Sequence, residues 1–180
     1  MDLFTKLKLK IDQYPIDIWE KDVTVLRNGY LKIPGSKDTN VYFIEEGSLR
    51  IILERESEEI TFRFAYTGNF ISALDSYITE APSDFGIKAI KKSKVRVIKK
   101  SNFVRFLESD PTHFKLWQDL MNGVIIDQGE RELDLLTSSP KERYLRVLKR
   151  NPRLFQIVPG KYIASYLRMT PETFTRVKKS

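Results

Sequence analysis

Gly160 to Lys179 constrain the fold more tightly than any other stretch of this 180-residue chain. Gly160-Lys161-Tyr162-Ile163-Ala164-Ser165-Tyr166-Leu167 and Pro171-Glu172-Thr173-Phe174-Thr175-Arg176-Val177-Lys178-Lys179 each carry apolar residues at helical spacing, with Arg168-Met169-Thr170 between them. Thr170 is placed to cap the second helix. Pro171 follows at its first position, where a missing N–H loses no helical hydrogen bond. Ile163, Leu167, Met169, Phe174 and Val177 fall inward, and Ala164 is small where two helices must cross closely. Glu172, Thr175, Arg176 and Lys179 recur at steps of three and four and so share one outward stripe. This is the pattern of a helix-turn-helix, although periodicity alone equally allows an ordinary amphipathic hairpin.

Charge separates the two readings. From Pro140 to Ser180 there are eleven Lys/Arg and two acids, Glu142 and Glu172, a balance of +9. Residues 1–139 hold twenty basic and twenty-two acidic residues, a balance of −2, so the whole basic excess lies in the last forty-one residues. A polyanion-binding module needs such a concentration, because phosphate contacts and counterion release supply most non-specific affinity.

Ahead of that module the signal is β. Val41-Tyr42-Phe43-Ile44, Leu49-Arg50-Ile51-Ile52-Leu53, Ile60 to Tyr66, Phe85 to Ile90 and Val95 to Ile98 are short apolar or alternating runs between Gly, Pro and charged turns. Such a series predicts a β-roll, barrel or sandwich. Leu3, Leu7 and Ile11 are spaced as a short helix that Pro15 ends, and residues 1–30 otherwise read as a mixed lead-in. Ser101-Asn102 open a short helix, Phe103 to Leu107. Asp110-Pro111 then start a long one, with cap and first-turn proline in order. Its apolar band includes Phe114, Trp117, Leu120, Met121, Val124, Ile125, Leu133 and Leu136, too wide to be covered by a sheet alone. A symmetry mate is the expected second partner, with Trp117, Leu120, Met121, Val124 and Gln128 as the dimer-helix residues. The alternative is a helix packed wholly inside its own chain. Gly123 and Gly129 each cost about 1 kcal/mol within a helix, and mark either a close approach, a kink or an earlier helix end. Thr137-Ser138-Ser139-Pro140 breaks the pattern, and Ser139 with Glu142 forms a capping box for the next helix. The expected units are 1–109, 110–137 and 138–180.

Taken together, Val41-Tyr42-Phe43-Ile44-Glu45-Glu46-Gly47-Ser48-Leu49, Gly68-Asn69-Phe70-Ile71, Ser139-Pro140-Lys141-Glu142-Arg143-Tyr144-Leu145 and the two terminal helices resemble the Crp/Fnr family of transcription regulators. The resemblance runs from about Asn28 onward. It implies an α+β fold, with an antiparallel β-roll of double-stranded β-helix type, a long dimerisation helix and a C-terminal helix-turn-helix. It implies a homodimer on double-stranded DNA with a near-palindromic operator. Glu172, Thr175 and Arg176 would then read bases, and Lys161, Arg168, Lys178 and Lys179 would meet phosphates. The effector pocket would lie around Gly68, Asn69, Phe70 and Ser83. Cyclic-AMP-binding members pair a Gly-Glu with the ribose and an Arg-Ser/Thr with the phosphate. Here Asn69 follows Gly68, Ser83 falls near the arginine position, and Asp84 would repel an anion. Cyclic AMP is therefore disfavoured, and an unidentified small effector and no effector are equally compatible with the residues.

No cofactor is expected. Zero cysteines remove thiolate iron–sulfur and zinc sites. The one histidine, His113, reads as a solvated surface residue rather than a haem ligand. No visible nucleophile–base pairing supports an enzyme, and Glu54-Arg55-Glu56-Ser57-Glu58-Glu59 reads as a solvated hairpin turn. No window approaches the roughly 18 apolar residues of a membrane helix, and Met1 to Lys6 lack a secretion signal, so a cytoplasmic setting is expected. Arg168 stands where glycine is common in such turns, because the backbone there favours positive φ. The sequence stops at Ser180 with no wing, so DNA contact is expected to rest on the helix and the basic surface. The competing class is a ligand-sensing or protein-interaction module that does not bind DNA.

Overall fold

The computed structural model describes every residue except Ser57 and Ser180. Helix α1 (Leu3–Asp12) is capped by Asp2, whose carboxylate accepts from the Thr5 N–H at 3.0 Å, and it buries Leu7 and Ile11. Eight strands follow: β1 (Trp19–Val25), β2 (Tyr30–Lys32), β3 (Val41–Glu46), β4 (Ser48–Arg55), β5 (Glu58–Tyr66), β6 (Phe70–Ile71), β7 (Phe85–Ala89) and β8 (Ser93–Ile98). A short helix, α2 (Leu74–Thr79), lies between β6 and β7. The strands form two four-stranded antiparallel sheets, ordered β1-β8-β3-β6 and β2-β7-β4-β5. Their inner faces share a core that includes Ile44, Leu49, Ile87 and Val95. This is the expected β-roll. Gly47 turns β3 into β4 at φ +113°, and a Cβ there would stand 2.2 Å from the Ser93 hydroxyl, so only glycine fits.

Several short or exposed elements escape the sequence pattern, β2 and α6 among them. β1 is mostly exposed and polar, β6 has two residues, and α2 begins without a side-chain cap. One further local feature matters for the site. The β4–β5 ladder pairs Ile51 with Arg63 but Ile52 with Thr61, which leaves Phe62 as the extra residue of a bulge. Arg63, on the regular side of that bulge, shares the inner face with Ala65 and Ile51.

Helices α3 (Lys100–Glu108) and α4 (Pro111–Leu136) fold back on each other across Ser109-Asp110. Asp110 accepts from the Thr112 N–H at 2.7 Å, which starts α4 as expected. α4 runs unbroken through Gly123 and Gly129, and nothing lies within 4 Å of the space a Cβ would fill at either. Phe103, Phe106, Leu107, Leu120 and residues of α1 form a second core, with Trp117 and Met121 packed against it. The fold-back corrects the reading of His113. It is buried at 7% exposure, its ring stacks on Phe106 at 4.2 Å, and its Nδ1 lies 3.0 Å from the Phe106 carbonyl oxygen. It closes the α3–α4 corner rather than facing solvent. The same packing corrects part of the dimer-helix expectation. Leu120 is buried within its own chain, and Trp117 meets Phe103 edge-on at 5.1 Å.

The C-terminal part holds α5 (Pro140–Arg150), α6 (Leu154–Ile157), α7 (Gly160–Tyr166) and α8 (Pro171–Lys179) around a third core of Tyr144, Val147, Leu154, Ile163, Leu167 and Phe174. Phe64 and Tyr66 of β5, and Ile90 beyond β7, join that core. Phe103 ties α3 to α4 with no exposure at all. Phe103→Ala should therefore lower unfolding free energy by about 3–5 kcal/mol in urea titrations. A loss under 1 kcal/mol would mean that the α3–α4 corner is not part of the cooperative fold.

Candidate nucleic-acid interface and effector cavity

The helix-turn-helix is built largely from local chemistry. The Ser139 hydroxyl accepts from the Glu142 N–H, and Pro140 occupies the first turn of α5. Arg168 takes the left-handed conformation at φ +53°, which lets the Met169 N–H reach the Ala164 carbonyl at 3.0 Å. Arg143 of α5 clamps the turn by donating to the Leu167 and Arg168 carbonyls at 2.6 and 3.3 Å. Thr170 caps α8, its hydroxyl accepting from the Thr173 N–H at 3.2 Å. At the start of α7, a Cβ on Gly160 would stand 2.9 Å from the Phe174 ring, so the two helices cross closely at a glycine.

On α8, Glu172, Thr175, Arg176 and Lys179 are exposed and line one shallow groove with Pro171. Among the described residues no ion pair joins Glu172 to Arg176. The Glu172 carboxyl is instead held below its ordinary pKa by its own backbone N–H and then by the Thr170 hydroxyl. The Thr175 hydroxyl donates to the Pro171 carbonyl at 2.8 Å. Lys178 is exposed off that groove, and Lys161 stands exposed at the start of α7 with its ammonium 4.8 Å from the Tyr162 ring. Arg168 differs from the other expected phosphate contacts. Its guanidinium meets the Glu58 carboxylate of the β-roll at 2.9 Å.

That pair belongs to a larger junction. β5 is the last strand of its sheet, so its outer N–H and C=O groups have no strand to pair with. The Thr61 N–H donates to the Ser165 hydroxyl at 2.9 Å, and that hydroxyl donates to the Glu59 carbonyl at 3.0 Å. Arg131 of α4 donates to the Thr61 carbonyl at 3.1 Å and to the Tyr166 carbonyl at 2.7 Å, and stacks over the Tyr166 ring at 4.1 Å. Arg50 lies 4.3 Å over the Tyr162 ring and pairs with Glu59, which Lys88 also holds. Burial pushes the Glu59 carboxyl up, but the hydrogen bonds from Lys88 and Arg50 outweigh it and leave its pKa below the ordinary value. The segment read as a solvated turn therefore carries two anchoring acids, Glu58 and Glu59; Ser57 within it lies outside the described residues.

Behind the junction, between β5, β6 and α4, is a cavity of about 370 Å³. Phe62, Phe64, Phe70, Trp117, Leu120 and Val124 are among its lining residues, and Arg63, Asp127 and Arg131 supply charge. Arg63 faces the cavity on the same side of β5 as Ala65, and its guanidinium lies 3.4 Å from the Val124 carbonyl. Burial pushes the Arg63 pKa down, with the Asp127 carboxylate opposing. Of the expected effector residues, Asn69 and Phe70 line this cavity and Gly68 and Ser83 do not. Ser83 is buried elsewhere, its carbonyl accepting from the Lys32 ammonium at 3.0 Å. Arg63 was missed because its facing depends on Phe64 and Tyr66 packing against the terminal helices, a distant contact that strand alternation does not display.

Comparison with known proteins agrees with this architecture. Residues 23–110 match the model of the cyclic nucleotide-binding domain. The chain is similar to the solved structure of FixK2 from Bradyrhizobium japonicum, at 19% identity over 88% of this chain and 82% of that one, with a TM-score of 0.74. It is also similar to the c-di-GMP-responsive regulator CLP of Xanthomonas campestris, at 14% identity over 98% and 89% of the two chains, with a TM-score of 0.72. A cyclic nucleotide-binding domain containing protein from Listeria monocytogenes is similar at 16% identity over 98% and 88%, with a TM-score of 0.74. No match is found among curated proteins. Residues 23–110 thus resemble a cyclic nucleotide-binding domain, and the overall fold is shared with these solved structures.

Ser165 is the simplest test of the junction. Ser165→Ala removes the acceptor of a buried N–H, which should cost about 1–3 kcal/mol. Amide exchange at Thr61 should accelerate, while exchange in β3 and β8 should not. Unchanged protection at Thr61 would mean that Ser165 does not hold the helices to the roll.

Proposed function

We propose that this chain is a homodimeric, sequence-specific DNA-binding transcription regulator, acting through α8 and tuned by an anionic effector. The observation that carries the first part is the exposed face of α8, where Glu172, Thr175, Arg176 and Lys179 lie together at the end of a strongly basic segment. Base edges in the major groove offer donor and acceptor patterns that such side chains match. Arg176 donates two hydrogen bonds to a guanine, Glu172 accepts from a cytosine amino group, and the Thr175 methyl meets a thymine methyl. Lys161, Lys178 and Lys179 take phosphates, which position without specifying. Arg168 joins them only on leaving Glu58.

The dimer reading rests on the far side of α4. Phe114, Ile125, Leu133 and Leu136 are exposed there, and Gly129 shares their stripe with open space at its Cα. An apolar stripe of this length on a charged protein calls for a partner, and a second copy places two α8 helices on half-sites about one helical turn apart. Of the residues first expected at that interface, Met121 and Gln128 flank the stripe, whereas Leu120 faces its own core.

The effector reading rests on Arg63. A mostly apolar cavity holding an incompletely paired guanidinium favours a ligand with an apolar body and a carboxylate or phosphate group. Arg131 lines the same cavity and also holds Thr61 and Tyr166, so a ligand that moves α4 bears directly on the helix-turn-helix.

Selection of bound duplexes from a random pool should return a near-palindrome. Arg176→Ala should weaken binding to it by about 1–3 kcal/mol and relax one base pair per half-site. Lys178→Ala should weaken all duplexes alike and lower the salt slope by about 1. An unaltered consensus and affinity in Arg176→Ala would remove it as the base reader. For the cavity, a panel of apolar carboxylates and aryl phosphates should include members that raise the melting temperature, an effect of about 2.7 kcal/mol at 100 times Kd. Arg63→Met should abolish the rise. Equal shifts in wild type and variant would place the ligand elsewhere.

A further inference from the structure

The end of the β-roll nearest the helix-turn-helix carries cations that neither the fold nor the cavity uses. Two segments meet there: residues 26–29, between β1 and β2, and residues 90–92, between β7 and β8. The first is held to Ala89, the residue that ends β7 and precedes the second, by hydrogen bonds of 2.9 Å from the Asn28 N–H to the Ala89 carbonyl and from the Ala89 N–H to the Gly29 carbonyl. Both segments touch the terminal helices. The Tyr162 hydroxyl of α7 donates to the Asn28 side-chain oxygen at 3.3 Å, and Ile90 is buried in the core of the helix-turn-helix. The neighbours of these anchors, Arg27, Lys91 and Lys92, are exposed and form no ion pair among the described residues.

That isolation is local. Close by on β8 and at its end, Lys94 meets Glu45 and Asp22, Arg96 meets the same two acids, and Lys99 meets Glu20. No Asp or Glu occurs in residues 26–33 or 87–93. Lys161 stands beside Tyr162, so three cations of the β-roll adjoin one of α7. The start of α7 in turn lies against α8, with Gly160 close to Phe174.

We propose that Arg27, Lys91 and Lys92 form a second DNA-backbone contact, through which the β-roll grips the phosphates flanking the half-site read by α8. This rests on the DNA-binding reading above and extends it from the terminal helices to the sensor domain. The contact carries no base information, since exposed lysines and an arginine beside smooth backbone see only phosphate charge. Its signature is a dependence on flanking length and on salt, because each neutralised phosphate adds about 0.9 to the slope of log K against log salt.

The test compares the full-length wild type with Arg27→Ala/Lys91→Ala/Lys92→Ala. Fluorescence anisotropy is read on the selected operator, with and without about ten flanking base pairs per side, roughly one helical turn, across a KCl series. A control, Lys6→Ala/Lys37→Ala/Arg105→Ala, removes the same charge from exposed positions elsewhere on the sensor part. The wild type and the control should bind the flanked duplex more tightly and with a steeper slope than the bare operator. The triple loop variant should lose that difference, bind both duplexes alike and keep the consensus. A loop variant with the wild-type slope and flank dependence overturns the proposal, as does a control that loses as much as the loop variant. Should the wild type bind no duplex, both readings fall together. Should Arg176→Ala keep the operator preference while the loop variant flattens the slope, the α8 reading falls and the loop contact stands.

Discussion

The outer edge of β5 is the constraint on which the two halves of this molecule depend. A terminal strand presents N–H and C=O groups that must find water or a partner, and here Thr61 is fully buried. Its N–H goes to Ser165 and its C=O to Arg131, so side chains of α7 and α4 do the work of a missing neighbouring strand. With the helices packed there but Ser165 or Arg131 truncated, the strand would hold a buried, unpaired backbone group. The β-roll and the helix-turn-helix are thus joined through hydrogen bonds that neither can make alone.

The same strand divides the molecule by its two faces. Phe64 and Tyr66 leave the roll and pack beneath the terminal helices, with Phe64 against Tyr166 at 5.4 Å. Ala65 and Arg63 face the other way, toward the roll interior and α4. Arg63 stands opposite Ile51 in the regular part of the ladder, with the bulge at Phe62 just beyond it. Because β5 separates the cavity from the junction, residues such as Tyr166 and Arg131 border both. Occupancy of the cavity and seating of the helix-turn-helix therefore share one set of contacts.

How far the sequence disclosed this follows from the range of the interactions involved. The helix-turn-helix was legible almost residue by residue, since Ser139, Thr170, Pro171 and the inward Ile163, Leu167 and Phe174 act over three or four positions. The long helix was legible for the same reason, from Asp110-Pro111 to its break before Pro140. What remained hidden was set by distant contacts. β1 has too little burial to show an alternating pattern, and His113 is buried only because α4 doubles back on Phe106. The apolar band of α4 was visible, but not which part of it α1 and α3 already cover. Leu120 therefore read as an interface residue and is a core one. Of the cavity-lining residues, Asn69 and Phe70 lie in a stretch the resemblance marked, whereas Arg63 faces the cavity through distant packing that its strand alternation does not display.

The charge split survives folding in altered form. Several of the eleven cations beyond Pro140 serve the structure: Arg143 clamps the turn, Arg146 and Arg150 converge on buried Asp134 and on Glu130, and Arg168 meets Glu58. Arg176, Lys178 and Lys179 form no ion pair among the described residues. The count of +9 therefore overstates what the terminal segment can offer a phosphate backbone at the outset. The basic surface of the folded chain also extends past the terminal helices, since Arg27, Lys91 and Lys92 sit where the roll meets α7. Salt dependence reads the cations that are free to meet phosphate, wherever the fold has put them, and not the segment of sequence that holds the most.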